Sequence, residues 1–274
     1  MNDDVNLQRV GPLPPPRYSR WERTRRYRTM RWLRRAVPIG LLLIVVLAVS
    51  HATVGGAPKP SAAPVRLLLG GVTDVVPPSK TGSFRRVSAA ITQGHRAVFV
   101  YIGAQYSPYS AAEQWAVVKA LSYFGRFVNL AITSSPAGSA GFGEIPTFDL
   151  YRVRYLSGFV DLENRQVANR LAAPLQHLNR VQLAWFNSFD PTASVPMVYV
   201  DGYVMTGAGY SPGLLQNRRF DVVQQALLDS GRVSYARAVE GESNLLAALV
   251  CAGDGGRPSR VCRSPVIHRI RLGL

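Results

Sequence analysis

Residues 97–104 read Ala-Val-Phe-Val-Tyr-Ile-Gly-Ala, an apolar run with no polar face. A strand apolar on both sides must be covered on both sides, which predicts a central strand of an α/β sheet. Ser107-Pro108-Tyr109-Ser110 follows within three residues, and after it comes an amphipathic stretch to Phe124. Val117, Leu121, Phe124 and Val128 recur there at helical spacing, and Gly125 marks the stop. Ser107 suits the N-cap, Pro108 the first helical position and Ser110 the first turn. The pattern is buried strand, short aromatic turn, helix.

The chain has 274 residues, 32 Lys+Arg against 16 Asp+Glu, and a net charge of +16. Residues 1–36 hold ten arginines and three acids. They precede an apolar run from Ala36 that stays uncharged to Ala57, long enough for a membrane helix of about 20 residues. Arginine on its N-terminal flank predicts a cytoplasmic N-terminus and a plasma-membrane protein with its C-terminal domain outside. A cleaved signal peptide competes, with Ser50-His51-Ala52 as the cleavage site. The long basic leader favours the uncleaved anchor. Topology accounts for the arginines better than nucleic acid does, and anionic lipid is the other partner the tail would suit.

The expected organisation is a basic cytoplasmic tail at 1–35, a transmembrane helix at 36–57, a Pro/Ala-rich linker at 58–79 and an exported domain at 80–274. Within that domain the spacing predicts a helix over 83–93 and the strand at 97–103. The 108–124 helix, a short strand at 128–133 and further strands within 147–163 follow. A helix from Leu171 to Phe186, beginning at Pro174, comes next. Pro196–Val200 and Tyr203–Met205 flank Asp201-Gly202, the signature of a β-hairpin. Helices over 217–228 and 243–250 complete a layered α/β domain with a mixed sheet.

Cys251 and Cys262 are the only cysteines. In an exported chain an isolated pair reads as a disulfide, worth on the order of 3 kcal/mol for so short a loop. Zinc, with His268 as a third ligand, lacks a fourth donor and suitable spacing. A redox-active pair is the third option.

Residues 97–127 resemble an uncharacterised family of membrane-anchored thioredoxin-like proteins, a domain of unknown function. That family reads Gly-Ala-x-Tyr-Cys-Pro-Tyr-Cys-Ala-Ala-Glu before a tryptophan-containing helix. Here the stretch is Gly103-Ala104-Gln105-Tyr106-Ser107-Pro108-Tyr109-Ser110-Ala111-Ala112-Glu113, followed by Gln114-Trp115. Ala120 to Gly125, Ile145-Pro146-Thr147-Phe148 and the cysteine pair are similar too. Gln105 and Gln114 stand where charged family residues would be expected. The resemblance implies a thioredoxin-like mixed sheet flanked by helices. It also implies an active-site cis-proline, met by Val195-Pro196, with Pro146 second.

Serine cannot form a mixed disulfide, so Ser107 and Ser110 cannot carry out dithiol exchange. A hydrolase role for Ser107 would need a base, and the exported part offers only His95, His177 and His268, with no nucleophile elbow. The expected function is therefore binding, to an exported protein or peptide, over Tyr106, Ser107, Pro108, Tyr109, Ser110 and Pro196. No metal, cofactor or small-molecule substrate is expected. The alternative is a thiol-disulfide oxidoreductase working through Cys251 and Cys262.

Overall fold

The computed structural model describes residues 69–77, 84–87, 95–189, 194–229 and 232–274. The tail at 1–35 and the expected transmembrane helix at 36–57 lie outside the described residues. Among those described, no helix is long and apolar enough to cross a membrane.

The apolar run forms β2 (Ala97–Gly103), buried along its whole length. It is the central strand because it pairs on both edges. β7 (Val160–Gln166) runs parallel to it, from Ala97↔Val160 to Gly103↔Gln166. β8 (Met197–Val200) runs antiparallel, from Phe99↔Val200 to Ile102↔Met197. β8 turns into β9 (Tyr203–Thr206) at Asp201-Gly202, whose φ values of 48° and 97° suit a primed hairpin turn. β1 (Arg85–Arg86) pairs with β9, giving the order β1-β9-β8-β2-β7. The result is a mixed α/β fold with a mixed sheet.

β1 corrects the helix expected over 83–93. Arg85 and Arg86 pair with the free edge of β9, and their guanidinium groups stand over the rings of Phe189 and Tyr203. Edge pairing and cation–π contact override the local helical spacing there. Residues 88–94 of that helix lie outside the described residues.

α1 (Pro108–Ser122) starts where predicted, with Ser107 as N-cap and Pro108 in the first turn. Its expected amphipathic character is not found: every residue from Ser110 to Leu121 is buried. The sheet covers one side and α4 (Ser234–Gly253) another. The excursion between α1 and β7 covers a third. It contains β3 (Gly125–Val128), β4 (Ala131–Ser134), β5 (Pro146–Asp149) and β6 (Arg154–Ser157), paired as two ribbons, β3–β6 and β4–β5. The single strand expected at 128–133 is split because Asn129 takes φ 61°, a left-handed conformation asparagine tolerates. Trp115 packs between Phe148 and Phe220 and donates from Nε1 to the Pro146 carbonyl at 2.7 Å.

α2 (Arg180–Phe189) covers the other face of the sheet, where Phe186 meets Val98, Val100, Ile102 and Tyr199. It begins after Pro174 because Asn179 caps it, accepting from Gln182 N at 2.8 Å. Residues 175 and 176 are held extended by backbone bonds to Val167 and Gln166. α3 (Phe220–Leu228) and α4 follow the hairpin, then α5 (Ser259–Cys262) and α6 (Pro265–Arg271). α4 is far longer than the 243–250 segment expected, because its buried Glu240 and Glu242 interrupt the apolar spacing.

Residues 69–77, assigned by composition to the linker, lie across α1 and α4. The Lys119 ammonium donates to the Leu69 carbonyl and pairs with Glu240 Oε1 at 3.1 Å, both side chains being fully buried. Thr73 Oγ1 donates to Glu240 Oε2 at 2.8 Å. Asn244 Nδ2 donates to the carbonyls of Thr73 and Val75 at 2.9 and 2.8 Å. Burial pushes the Lys119 ammonium pKa down and the Glu240 carboxyl pKa up, so neither charge survives well without the other.

Lys119→Met or Glu240→Gln alone strands a buried charge. Each should destabilise by about 3–5 kcal/mol, read in calorimetry as a melting-temperature loss on the order of 10 °C. The double variant Lys119→Met/Glu240→Leu should recover most of the loss. A double variant as unstable as the singles would remove the ion pair from its assigned role.

Candidate functional site

The turn between β2 and α1 is built by the side chains of Ser107 and Ser110. Ser107 Oγ accepts from Ser110 N at 3.2 Å, capping the helix, and donates to the Val195 carbonyl at 3.1 Å. Ser110 Oγ accepts from Ala104 N at 3.2 Å, and the Ser110 carbonyl accepts from Tyr101 Oη at 3.1 Å. Ser107, Pro108 and Ser110 are buried. Tyr106 is half-buried, and Tyr109 is 39% exposed with its ring edge-on to Phe142, 5.6 Å between centroids.

The Val195–Pro196 peptide is cis, and the Pro196 carbonyl accepts from Gly207 N at 2.8 Å. The Ser107–Val195 bond therefore joins the helix start to the segment entering β8. Tyr106, Ser107, Pro108, Tyr109, Ser110 and Pro196 meet at the C-terminal end of β2. A concavity of about 980 Å³ opens elsewhere, lined by Asp221, Val222, Gln225, Asp229, Arg232 and Tyr235, and no motif residue contributes to it.

Ser107 Oγ is committed as donor and as acceptor, and no base stands against it. His95, His177 and His268 are exposed side chains on other elements. Among the described residues no group of three or more histidine, cysteine, aspartate or glutamate residues could hold a metal ion. Gln105 Nε2 donates to Asp149 Oδ1 at 3.0 Å, and Gln114 Oε1 lies 2.8 Å from the Thr147 hydroxyl.

Cys251 and Cys262 form a disulfide, Cα–Cα 5.5 Å, with neither residue exposed. The bond joins the end of α4 to α5. Two residues beyond Cys251, Gly253 abuts the carboxylate of Asp201, the turn residue that follows β8. Pro196 precedes the opposite end of the same strand, about 16 Å away at 3.3 Å per residue. The disulfide and the serine motif belong to different poles of the sheet.

One cluster close to the motif carries no sequence signature. Glu113, in the second turn of α1, and Glu242 of α4 are both buried. Glu113 Oε2 accepts from Gly209 N at 3.0 Å. Gly209 lies so close to Glu242 that a Cβ there would collide with its carboxylate. Oε1 of each acid has no hydrogen-bond partner. Tyr210 bonds the Ala112 carbonyl and, like Tyr101, feels the charge of Glu113. Burial and the charge of Glu242 push the Glu113 carboxyl well up. Burial pushes Glu242 up to about 7. No sequence spacing links two acids on helices more than a hundred residues apart; only the all-round burial of α1 and α4 brings them together.

The domain of unknown function DUF929 is found at residues 84–199. That span takes in β1, the motif, Pro196 and most of β8, and ends before β9, α3, α4 and the disulfide. No curated protein and no solved structure matches the chain.

The raised carboxyls fix the sign of a pH effect. Their folded pKa values lie above the ordinary 4.5, so the folded state binds more protons between about pH 4.5 and 7. Stability should be greatest at the acidic end and fall as pH rises through 7. Glu113→Gln should flatten that fall in melts taken from pH 5 to 8. An unchanged slope would show that the pair does not titrate in this range. Ser107→Ala should cost about 1 kcal/mol in chemical denaturation through the lost cap.

Proposed function

We propose that this chain is a single-pass membrane protein whose exported thioredoxin-like domain has no dithiol chemistry and acts by binding an extended peptide at the motif face. The observation that carries the reading is the bond from Ser107 Oγ to the carbonyl preceding cis-Pro196, at 3.1 Å. A hydroxyl occupies the place beside the cis-proline where the resembled family would hold a thiol, and it is satisfied there.

The arrangement of the sheet supports the fold half of the proposal. A strand–turn–helix leads from β2 into α1, β7 lies parallel on one edge, and an antiparallel hairpin entered through a cis-proline lies on the other. The chemistry of the face supports the other half. Exposed Tyr109 and half-buried Tyr106 offer aromatic surface on the turn whose Ser107 bonds the carbonyl preceding the buried Pro196, which suits an extended, side-chain-reading ligand better than a small molecule needing enclosure. The burial of Cys251 and Cys262 at the other pole supports a structural disulfide over the oxidoreductase alternative. The anchor rests on the arginine-flanked apolar run at 36–57.

Protease added to intact cells should remove the C-terminal domain while the N-terminal tail stays protected and membrane-bound. Release of a shortened soluble chain would instead establish signal-peptide cleavage. The native protein should be inactive in an insulin-reduction assay, whereas Ser107→Cys/Ser110→Cys should gain activity, because the helix N-terminus lowers a thiol's pKa. Activity in the native chain that Cys251→Ser abolishes would overturn the redox-inactive reading. For binding, a photo-crosslinking amino acid at Tyr109 should capture an exported peptide or protein, and Pro196→Ala should reduce capture. Equal capture from position 268, an exposed site on α6 at the disulfide pole, would reject the motif face as the binding surface.

A further inference from the structure

The domain's excess charge is not spread over it. From 69 to 254 the sequence carries 15 Lys/Arg against 13 Asp/Glu, whereas 255–274 carries five arginines and no acid. Those five, Arg257, Arg260, Arg263, Arg269 and Arg271, belong to the cap formed by the end of α4, α5 and α6. Arg257, Arg260, Arg263 and Arg269 are exposed.

The cap is a fixed surface. The Cys251–Cys262 disulfide closes it, and Val261, Val266, Ile267 and Ile270 seat it in the core. Arg257 is pinned by donating from Nη2 to the His95 carbonyl at 2.6 Å. Tyr203, under the guanidinium of Arg86, donates to the Leu274 carbonyl at 3.4 Å, which joins the edge strand to the same surface. Of the acids that touch this pole, Asp254 acts only on Arg257 and Arg271 and leaves the other three arginines uncompensated. Asp201 and Asp254 are buried, and Asp161 is paired with Arg96 at 2.9 Å. No carboxylate among the described residues lies within ion-pair distance of Arg260, Arg263 or Arg269. Beside these cations Leu272 is 77% exposed and Leu274 38%.

We propose that this disulfide-closed cap is a docking surface for anionic phospholipid, holding the domain against the membrane that carries its anchor. Two features select lipid over other polyanions. Unpaired arginines interleaved with exposed leucines match an interface that is charged outside and apolar just beneath. The tether is also short: eleven residues, 58–68, separate the apolar run from Leu69 and span at most about 40 Å. That is less than the roughly 43 Å diameter expected of a domain this size. The cap is thus always at high local concentration near the bilayer. It lies at the pole of the sheet away from the serine motif, so docking leaves the exposed Tyr109 free. The choice of occupant rests on the anchored reading proposed above.

The test uses the full chain in nanodiscs of phosphatidylcholine alone or mixed with phosphatidylglycerol. Trypsin cleavage after Arg269 and Arg271 should be slower in the phosphatidylglycerol discs, and high salt should abolish the difference. Arg260→Gln/Arg263→Gln keeps both cleavage sites and, being at exposed positions, should melt like the native protein. It should lower the docked-to-free ratio about 25-fold, at about fivefold per arginine. Equal cleavage in both discs, with the chain retained by both, overturns the docking proposal. Protection by added RNA but not by phosphatidylglycerol also overturns it. Loss of the chain from phosphatidylcholine discs overturns the anchor instead. In that case the surface stands only if phosphatidylglycerol discs still bind the chain through Arg260 and Arg263.

Discussion

A helix buried on every side must find an internal partner for each polar group it carries, and α1 imposes that requirement on the rest of the domain. Its Trp115 Nε1 takes the Pro146 carbonyl, its Gln114 takes Thr147, and both contacts bind the β4–β5 ribbon to it. Its Lys119 takes Glu240 and the Leu69 carbonyl, which binds α4 and the entering chain. Its Glu113 takes Gly209 N, which fixes the loop after the hairpin. Elements that would otherwise cover a greasy cylinder loosely are each given a defined position by a hydrogen bond or an ion pair in a low-dielectric interior, where leaving the partner unmade costs most.

The same logic explains why serine at 107 and 110 does not disturb the turn. A hydroxyl donates and accepts better than a thiol, and here Ser107 uses both capacities to close the helix start onto the Val195 carbonyl. The two hydroxyls make the turn a cross-link between the helix start and the segment entering β8. What stays accessible is the aromatic rim, with Tyr109 half in solvent against Phe142.

Legibility from sequence followed the reach of the interactions. β2, the start of α1 and the Asp-Gly hairpin were readable, because a continuous apolar run, a Ser-Pro cap and a primed turn each state their conformation within a few residues. β1 was misread as helix because Arg85 and Arg86 become a strand only by meeting β9, more than a hundred residues away. The start of α2 was misplaced because Asn179 competes with Pro174 as a boundary and only the backbone bonds to Val167 and Gln166 decide between them. The motif face was readable as a set of residues; Glu113 and Glu242 were not, since a glutamate every few residues on a helix is the commonest sign of a wet surface. The Asn129 break between β3 and β4 sits between these cases, being local yet conspicuous only once its left-handed φ is known.

The strap at 69–77 also decides how the domain would respond to being pulled. Tension arriving along the chain from its N-terminal side meets, at Leu69 and Gly71, carbonyls held by Lys119 and Tyr123, and then the bonds of Thr73 and Val75 to α4. That load meets several bonds to the helical layer before it can reach the two-residue edge strand β1. The domain is mechanically guarded at its point of entry, and the guard is the ion pair between its two central helices.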